Sequence, residues 1–363
     1  MRIEEVRVGC APVPMRQPMK TAIHATTHTY NALVQIAAAG VTGQGAALTL
    51  AADQAAAVCS MIADLAPLLT GRDAREPRLL WEQLRVRLNL TGQTGIGLLA
   101  RAAIDTALWD LHARGAGLPL YRLLGGSGRP LPVYSQPGWL SLRVEELVEE
   151  ALAAQADGFG HYKMRVGASD WRSDLAQVAA VREALDPGTE LLVDANQGWT
   201  RLTARAATYA LDDLGLFWIE EPLPVDDVSG MAELAGRLRT PVAAGETVFG
   251  AEGLRPLIEA RAASVLMPDL QHCGGPTGFL RAATAAELAG VPVSNHLFLE
   301  TSVHLLAACS GALIVEHMPG WWDDLFEELP AIKGGMVAPR ETPGLGVQFR
   351  ADAAATLRPV PAQ

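Results

Sequence analysis

The 363-residue chain has little of several things, and each scarcity removes a class of protein. It has four cysteines, Cys10, Cys59, Cys273 and Cys309, all far apart. With no Cys-x-x-Cys pair, the spacing supports neither a structural zinc site nor a disulfide framework. No window approaches the roughly 18 apolar residues of a membrane span. Lys and Arg are scattered, the net charge is −11 and the pI is near 5.2, which argues against nucleic acid or anionic membranes as partners. Neither a Gly-x-Ser-x-Gly elbow nor a Walker loop occurs. The one superficial dinucleotide fingerprint, Gly95-x-Gly97-x-x-Ala100, follows a helix-like segment and lacks a βαβ context. The opening residues "MRIEEVRVGC" carry no apolar core of signal-peptide length, so a cytoplasmic protein is expected.

What is present is a large apolar fraction, 49%, enough for a substantial core, and a repeat. From about residue 130, short β-rich runs end in polar residues and are followed by helical stretches. The runs are "PVYSQ", "HYKMRVG", "LLVDANQ", "LFWIEEP", "PVAAGET", "SVLMPDL", "PVSNHLF" and "ALIVEHM". Eight strands alternating with helices describe a (β/α) barrel, with a doubly wound open sheet as the alternative. The polar run ends favour the barrel, which gathers all strand ends at one mouth. Residues 1–125 read as a separate α+β domain, residues 126–325 as the barrel and residues 326–363 as an irregular tail. The Gly/Pro-rich stretch at 123–132 is the expected linker.

In "LFWIEEPLP" an apolar run meets two adjacent carboxylates, whose burial is costly unless something compensates. Asp194, Glu220 and Glu246 each end a run, at intervals of 26 residues. If each interval is one βα unit, three carboxylates stand on consecutive strand ends. Their mutual repulsion is relieved by a divalent cation, and oxygen donors suit Mg²⁺. Any one acid alone would more often cap a helix or pair with a surface cation. Three in phase with the repeat favour the metal. Periodicity leaves open whether Glu220 or Glu221 is the ligand.

Lys163 and Arg165 share one strand face. Asp269 and His296 are 27 residues apart, again one unit, so a carboxylate can stand behind an imidazole and raise its basicity. His112 and His304 read as structural. Metal acids, a cationic face and a His–Asp pair together suit removal of a proton beside a carboxylate, with an enediolate stabilised by the metal.

The stretches "KMR", "VDANQGW", "WIEEP", "AGE", "MPDLQHCGGPTG", "SNHLFLETSVHLLAA" and "IVEH" resemble the enolase superfamily, specifically its mandelate racemase subgroup. Superfamily sites with a Lys or His base and Mg²⁺ are a standard example of tuned acid–base chemistry. The resemblance implies a (β/α)₇β barrel, a form of TIM barrel, under an N-terminal α+β cap, with the tail packing back on the cap. It implies Asp194, Glu220 and Glu246 as Mg²⁺ ligands and Asp269–His296 as the acid/base dyad. It also implies Glu316 as an electrophilic helper on the substrate carboxylate, Asn196 at a substrate-contacting position, and specificity loops near residues 15–29 and 43–49. His24 lies in the first of these, and a homo-oligomer is expected.

The subgroup's Lys-x-Lys is here Lys163-x-Arg165. A guanidinium keeps its proton at any ordinary pH, so a second base is missing. The expected activity is therefore one-base dehydration of a hydroxy acid or sugar acid to a 2-keto acid. Ring-opening cycloisomerisation and epimerisation are the alternatives. A degenerate barrel acting as a binding protein is the non-enzymatic reading, and retention of the three acids, the dyad and Glu316 argues against it.

Overall fold

The structure, a computed structural model, describes residues 1–22, 24–136 and 138–361. Three antiparallel strands, β1 (Glu5–Lys20), β2 (Ala25–Ala38) and β3 (Val41–Thr49), form the cap sheet. Helices Ala52–Leu65, Pro77–Arg87 and Gly95–Gly115 complete the cap. Alternation along β2 turns Ala32, Val34 and Ile36 onto Val58, Ile62, Ile104 and Leu108, which make the cap's own core. The stretch 43–49, expected as a loop, is strand β3. Its glycines are the reason it reads as a loop. A Cβ on Gly43 or Gly45 would lie 2.2 Å from the Ala107 or Ala103 carbonyl, so the bare backbone lets the Gly95–Gly115 helix lie against the sheet. Most of 15–29 is likewise the β1–β2 hairpin; Ile23 lies outside the described residues.

The barrel strands are β4 (Leu131–Tyr134), β5 (His161–Arg165), β6 (Glu190–Asp194), β7 (Trp218–Glu220), β8 (Val242–Ala244), β9 (Val265–Leu266), the bridge-paired residues 292–296, and β10 (Val315–Glu316). β5 to β9 pair in parallel in sequence order. Ser135 bridges Tyr162, Val293 bridges both Leu266 and Ala312, and β10 pairs with β4. These contacts close the ring, which excludes the open sheet. Seven helices, from Val144–Ala156 to Leu299–Leu306, separate the eight strand segments and give (β/α)₇β. Tyr134, Leu192, Trp218, Ala243, Met267 and Ile314 fill the barrel interior, while Leu191, Val193 and Ile219 face the helices.

The tail returns to both parts. Met336–Val337 pairs with β4, and Arg358–Pro359 adds to β1. Among the described residues no helix is long and apolar enough to cross a membrane.

Candidate active site

Strand register does the first part of the assembly. Arg165 pairs with Asp194, and Asp194 with Glu220, in successive parallel ladders, so the three side chains leave the barrel side by side. Glu246 follows β8 directly. Carboxylate oxygens of Asp194, Glu220 and Glu246 lie within 4.8 Å of one another, all buried. Glu221 turns elsewhere. Its φ of 36° reverses the chain, and its carboxylate accepts from Gln197 (2.8 Å) and Thr247 (2.9 Å). The geometry thus separates the two adjacent glutamates.

Lys163 Nζ reaches Glu220 at 3.0 Å, Glu316 at 2.9 Å and Asp194 at 3.5 Å. Burial opposes its charge, but Glu220 and Glu316 outweigh burial and hold the ammonium above its ordinary pKa. Arg165 Nη2 donates to Gln136 (3.0 Å), and its Nε lies 3.5 Å from Asp194. Burial, and then repulsion from Asp194, pushes the Glu220 carboxyl well up; burial, with Glu221 and Asp194, does the same to Glu246. When ionised, Asp194, Glu220, Glu246 and Glu316, with buried Glu221 beside them, outnumber the cations Lys163 and Arg165, an excess that a divalent cation would offset. The donor set, all hard oxygen, fits such an ion.

Opposite, His296 Nδ1 lies 2.6 Å from Asp269 Oδ2, in a pair aligned by a parallel bridge. Burial opposes a charge on His296, but the hydrogen bond to Asp269 and the field of Glu316 outweigh it and raise its pKa. With Nδ1–H donated to Asp269, Nε2 carries the lone pair; it lies 3.7 Å from Glu246, on a side chain 20% exposed. Glu316 accepts from Lys163, from Gln136 Nε2 (3.1 Å) and from the Leu297 amide (2.9 Å). Burial alone would raise its pKa, but Lys163 and His296 depress it well below the carboxylate range. Asn196, at φ 39°, ties Asp194 through its amide N–H (2.8 Å) and Nδ2 (3.1 Å). Its Oδ1 is buried without a hydrogen-bond partner among the described residues.

Of the expected site residues, Lys163, Arg165, Asp194, Asn196, Glu220, Glu246, Asp269, His296 and Glu316 gather at one mouth. His24 is exposed in the hairpin turn, where its amide bonds Thr21 Oγ1 (3.1 Å). The same hairpin touches the barrel through Ala22, whose Cβ would lie 2.9 Å from a Cβ on Gly198. Gln136 is the residue that sequence reading passed over. It ends the "PVYSQ" run in phase with the other mouth residues, which was the available signal. His304 is structural as expected: it is buried, its Nδ1 takes the Tyr121 amide, and its Nε2 meets the Leu345 carbonyl.

A capped (β/α)₇β barrel with three converging strand-end carboxylates and a facing His–Asp pair is the architecture of the enolase superfamily. Residues 3–125 match the family model for the mandelate racemase/muconate lactonizing enzyme N-terminal domain, and residues 146–353 match the enolase C-terminal domain-like model. The chain belongs to the mandelate racemase/muconate lactonizing enzyme family of that superfamily. It is 33% identical over 289 residues to L-talarate/galactarate dehydratase of Salmonella typhimurium, covering 78% of this chain and 71% of that protein. It is 32% identical over 347 residues to 3,6-anhydro-alpha-L-galactonate cycloisomerase of Streptomyces coelicolor, covering 95% and 96%. The crystal structure of L-talarate dehydratase from Polaromonas sp., complexed with Mg and L-glucarate, superposes with a TM-score of 0.93 at 35% identity over 98% of this chain and 97% of that one.

Proposed function

We propose that the protein is a Mg²⁺-dependent lyase that removes the proton α to the carboxylate of a hydroxy acid or sugar acid and expels a β-hydroxyl, giving a 2-keto acid. The observation that carries this reading is the Asp269–His296 pair facing three buried carboxylates across one mouth. Asp194, Glu220 and Glu246 would hold the cation, which would supply Lewis-acid stabilisation to the substrate carboxylate as negative charge develops there.

His296 Nε2 takes the proton from carbon 2, and Asp269 fixes its tautomer and stabilises the imidazolium. The electron pair left on carbon 2 forms a double bond to carbon 3 as the hydroxyl leaves. The proton taken by His296 is available to make that hydroxyl water, and the enol product tautomerises to the 2-keto acid. Lys163 and Arg165 stand on the other face as cationic donors. Neither offers a lone pair while ion-paired, which favours one-base chemistry over racemisation. Glu316 holds Lys163 charged beside the place of the substrate carboxylate. Asn196 and, from the cap hairpin, His24 are the proposed substrate contacts.

Ring opening with an ether oxygen as the leaving group uses the same parts. The cycloisomerase relative, which this chain matches over 96% of its length, supports it as the second reading. The proposed units are the cap (1–125), the barrel (126–325) and the tail (326–363). A homo-oligomer and a cytoplasmic location complete the proposal; cysteines without disulfides suit a reducing compartment.

The test is a panel of sugar acids in D₂O with Mg²⁺, scored for deuterium at carbon 2 and for 2-keto acid. Exchange that stops on chelation and returns with Mg²⁺ is expected. Absence of both deuterium uptake and 2-keto acid across the panel would overturn the reading.

A further inference from the structure

Where the cap hairpin meets the barrel mouth, a pocket of about 160 Å³ is lined by Arg16, Gln17, Trp139, Pro319 and Trp321. Its walls lead back to the reacting end. Arg165, 3.5 Å from Asp194, lies 5.3 Å from the Trp139 ring centroid, and Trp139 stacks on Trp321 at 6.2 Å and 14°. Thr29 Oγ1 pins the Trp321 carbonyl at 2.9 Å. Arg165 Nε and Nη1, beyond Trp139 from the pocket, are buried without hydrogen-bond partners among the described residues.

Arg16 is held in place from below. Its amide donates to the Gly320 carbonyl (3.2 Å), and its stem lies flat on bare Gly320, where a Cβ would come within 3.0 Å. The Arg16 side chain is 62% exposed, and its guanidinium forms a 3.5 Å ion pair with half-exposed Asp324. Such a surface pair is worth little and yields readily to a better-placed anion. The neighbouring Asp323 takes the Gly320 amide on Oδ2 (2.8 Å), its Oδ1 being buried without a partner among the described residues, and His317 lies close by with its pKa lowered by burial. Arg16 is thus the fixed positive charge of the pocket, and a guanidinium fork matches a carboxylate.

We infer that this pocket receives the far end of the substrate and that Arg16 pairs there with a second carboxylate, so the substrate is a polyhydroxy dicarboxylate. The inference rests on the proposed α-proton chemistry and names the substrate class for it. The relatives do not decide the matter, because their names include both galactarate and galactonate dehydratases.

The test pairs each hexarate of a panel with the hexonate of the same configuration. The hexarate is expected to lead in kcat/KM, mostly through KM, by about tenfold to a hundredfold, the range for a charge-assisted contact. In Arg16→Gln that ratio falls toward one, and Arg16→Lys keeps part of it. A hexonate preferred over its hexarate, or a ratio unchanged in Arg16→Gln, overturns the dicarboxylate inference and leaves the proton chemistry standing. Failure of both series either to exchange the α-hydrogen or to yield 2-keto acid sinks the chemistry and this inference with it.

Discussion

Gln136 couples Arg165 to Glu316: its carbonyl takes Arg165 Nη2 at 3.0 Å while its amide nitrogen donates to Glu316 at 3.1 Å and to the His317 carbonyl at 3.1 Å. A neutral side chain thus joins the cation on β5 to the anion on β10, and both ends are buried. In Gln136→Leu the guanidinium loses the acceptor of its Nη2 and Glu316 loses one of three donors. Leaving buried polar groups without partners costs about 1–3 kcal/mol. The expected result is that loss in denaturant unfolding, together with a lower kcat. Wild-type stability and turnover in the variant would show that water replaces the amide without consequence.

For His296→Asn the amide can sit near the position of Nδ1, within reach of Asp269, but nothing occupies the Nε2 position and no group titrates near neutrality. Deuterium uptake at carbon 2 should disappear, with a fall in kcat of at least about a hundredfold, as expected for removing a general base. Mg²⁺ binding, read by calorimetry, should persist because Asp194, Glu220 and Glu246 are untouched. Substantial exchange in the variant would move the base elsewhere.

The ring of strands and its mouth were legible because barrel strands advertise themselves. Each run is short, apolar and closed by a polar residue, so Asp194, Glu220, Glu246, Asp269, His296 and Glu316 fall in phase. The cap was less legible for the opposite reason. Gly43 and Gly45 look like turn residues, yet they are there because a helix backbone passes 2.2 Å from where their side chains would be. That approach is set by tertiary packing and has no local signature. The split between Glu220 and Glu221 was also hidden, since it depends on the left-handed backbone at Glu221. Gln136 had the right phase, but an uncharged residue draws no notice when the argument runs on charges.

Glu300 gives a pH dependence of stability. It is 5% exposed, and burial, only partly offset by hydrogen bonds from its own amide and from Trp322 Nε1 (3.1 Å), raises its pKa from 4.5 to about 7. Between those values the folded protein binds the proton that the unfolded chain releases. The stabilising contribution is therefore complete below pH 4.5 and is lost as the pH rises through about 7. At 1.36 kcal/mol per pKa unit the loss amounts to about 3 kcal/mol. Glu300→Gln should remove this slope, so that wild type falls relative to the variant between pH 5 and pH 8 in parallel unfolding curves. Two parallel profiles would place the titration elsewhere.

On the proposed chemistry, the residue at position 165 should set how many faces of carbon 2 exchange. The Arg165 guanidinium cannot yield a proton in the working range: burial opposes the charge, but Asp194 and Glu220 outweigh it and hold the proton more firmly. Lys163 beside it is bound to Glu220 and Glu316. Wild type should therefore give deuterated substrate of a single configuration. A lysine at position 165 brings an ammonium whose neutral fraction grows about tenfold with each pH unit, so pH 9.5 favours it where a guanidinium stays charged. Arg165→Lys is expected to return substrate of mixed configuration at that pH, whereas Arg165→Met, which has no titrating group, should not. If Arg165→Lys keeps one configuration while still exchanging from the His296 side, the limit to one face lies in how the substrate is held and not in the missing base.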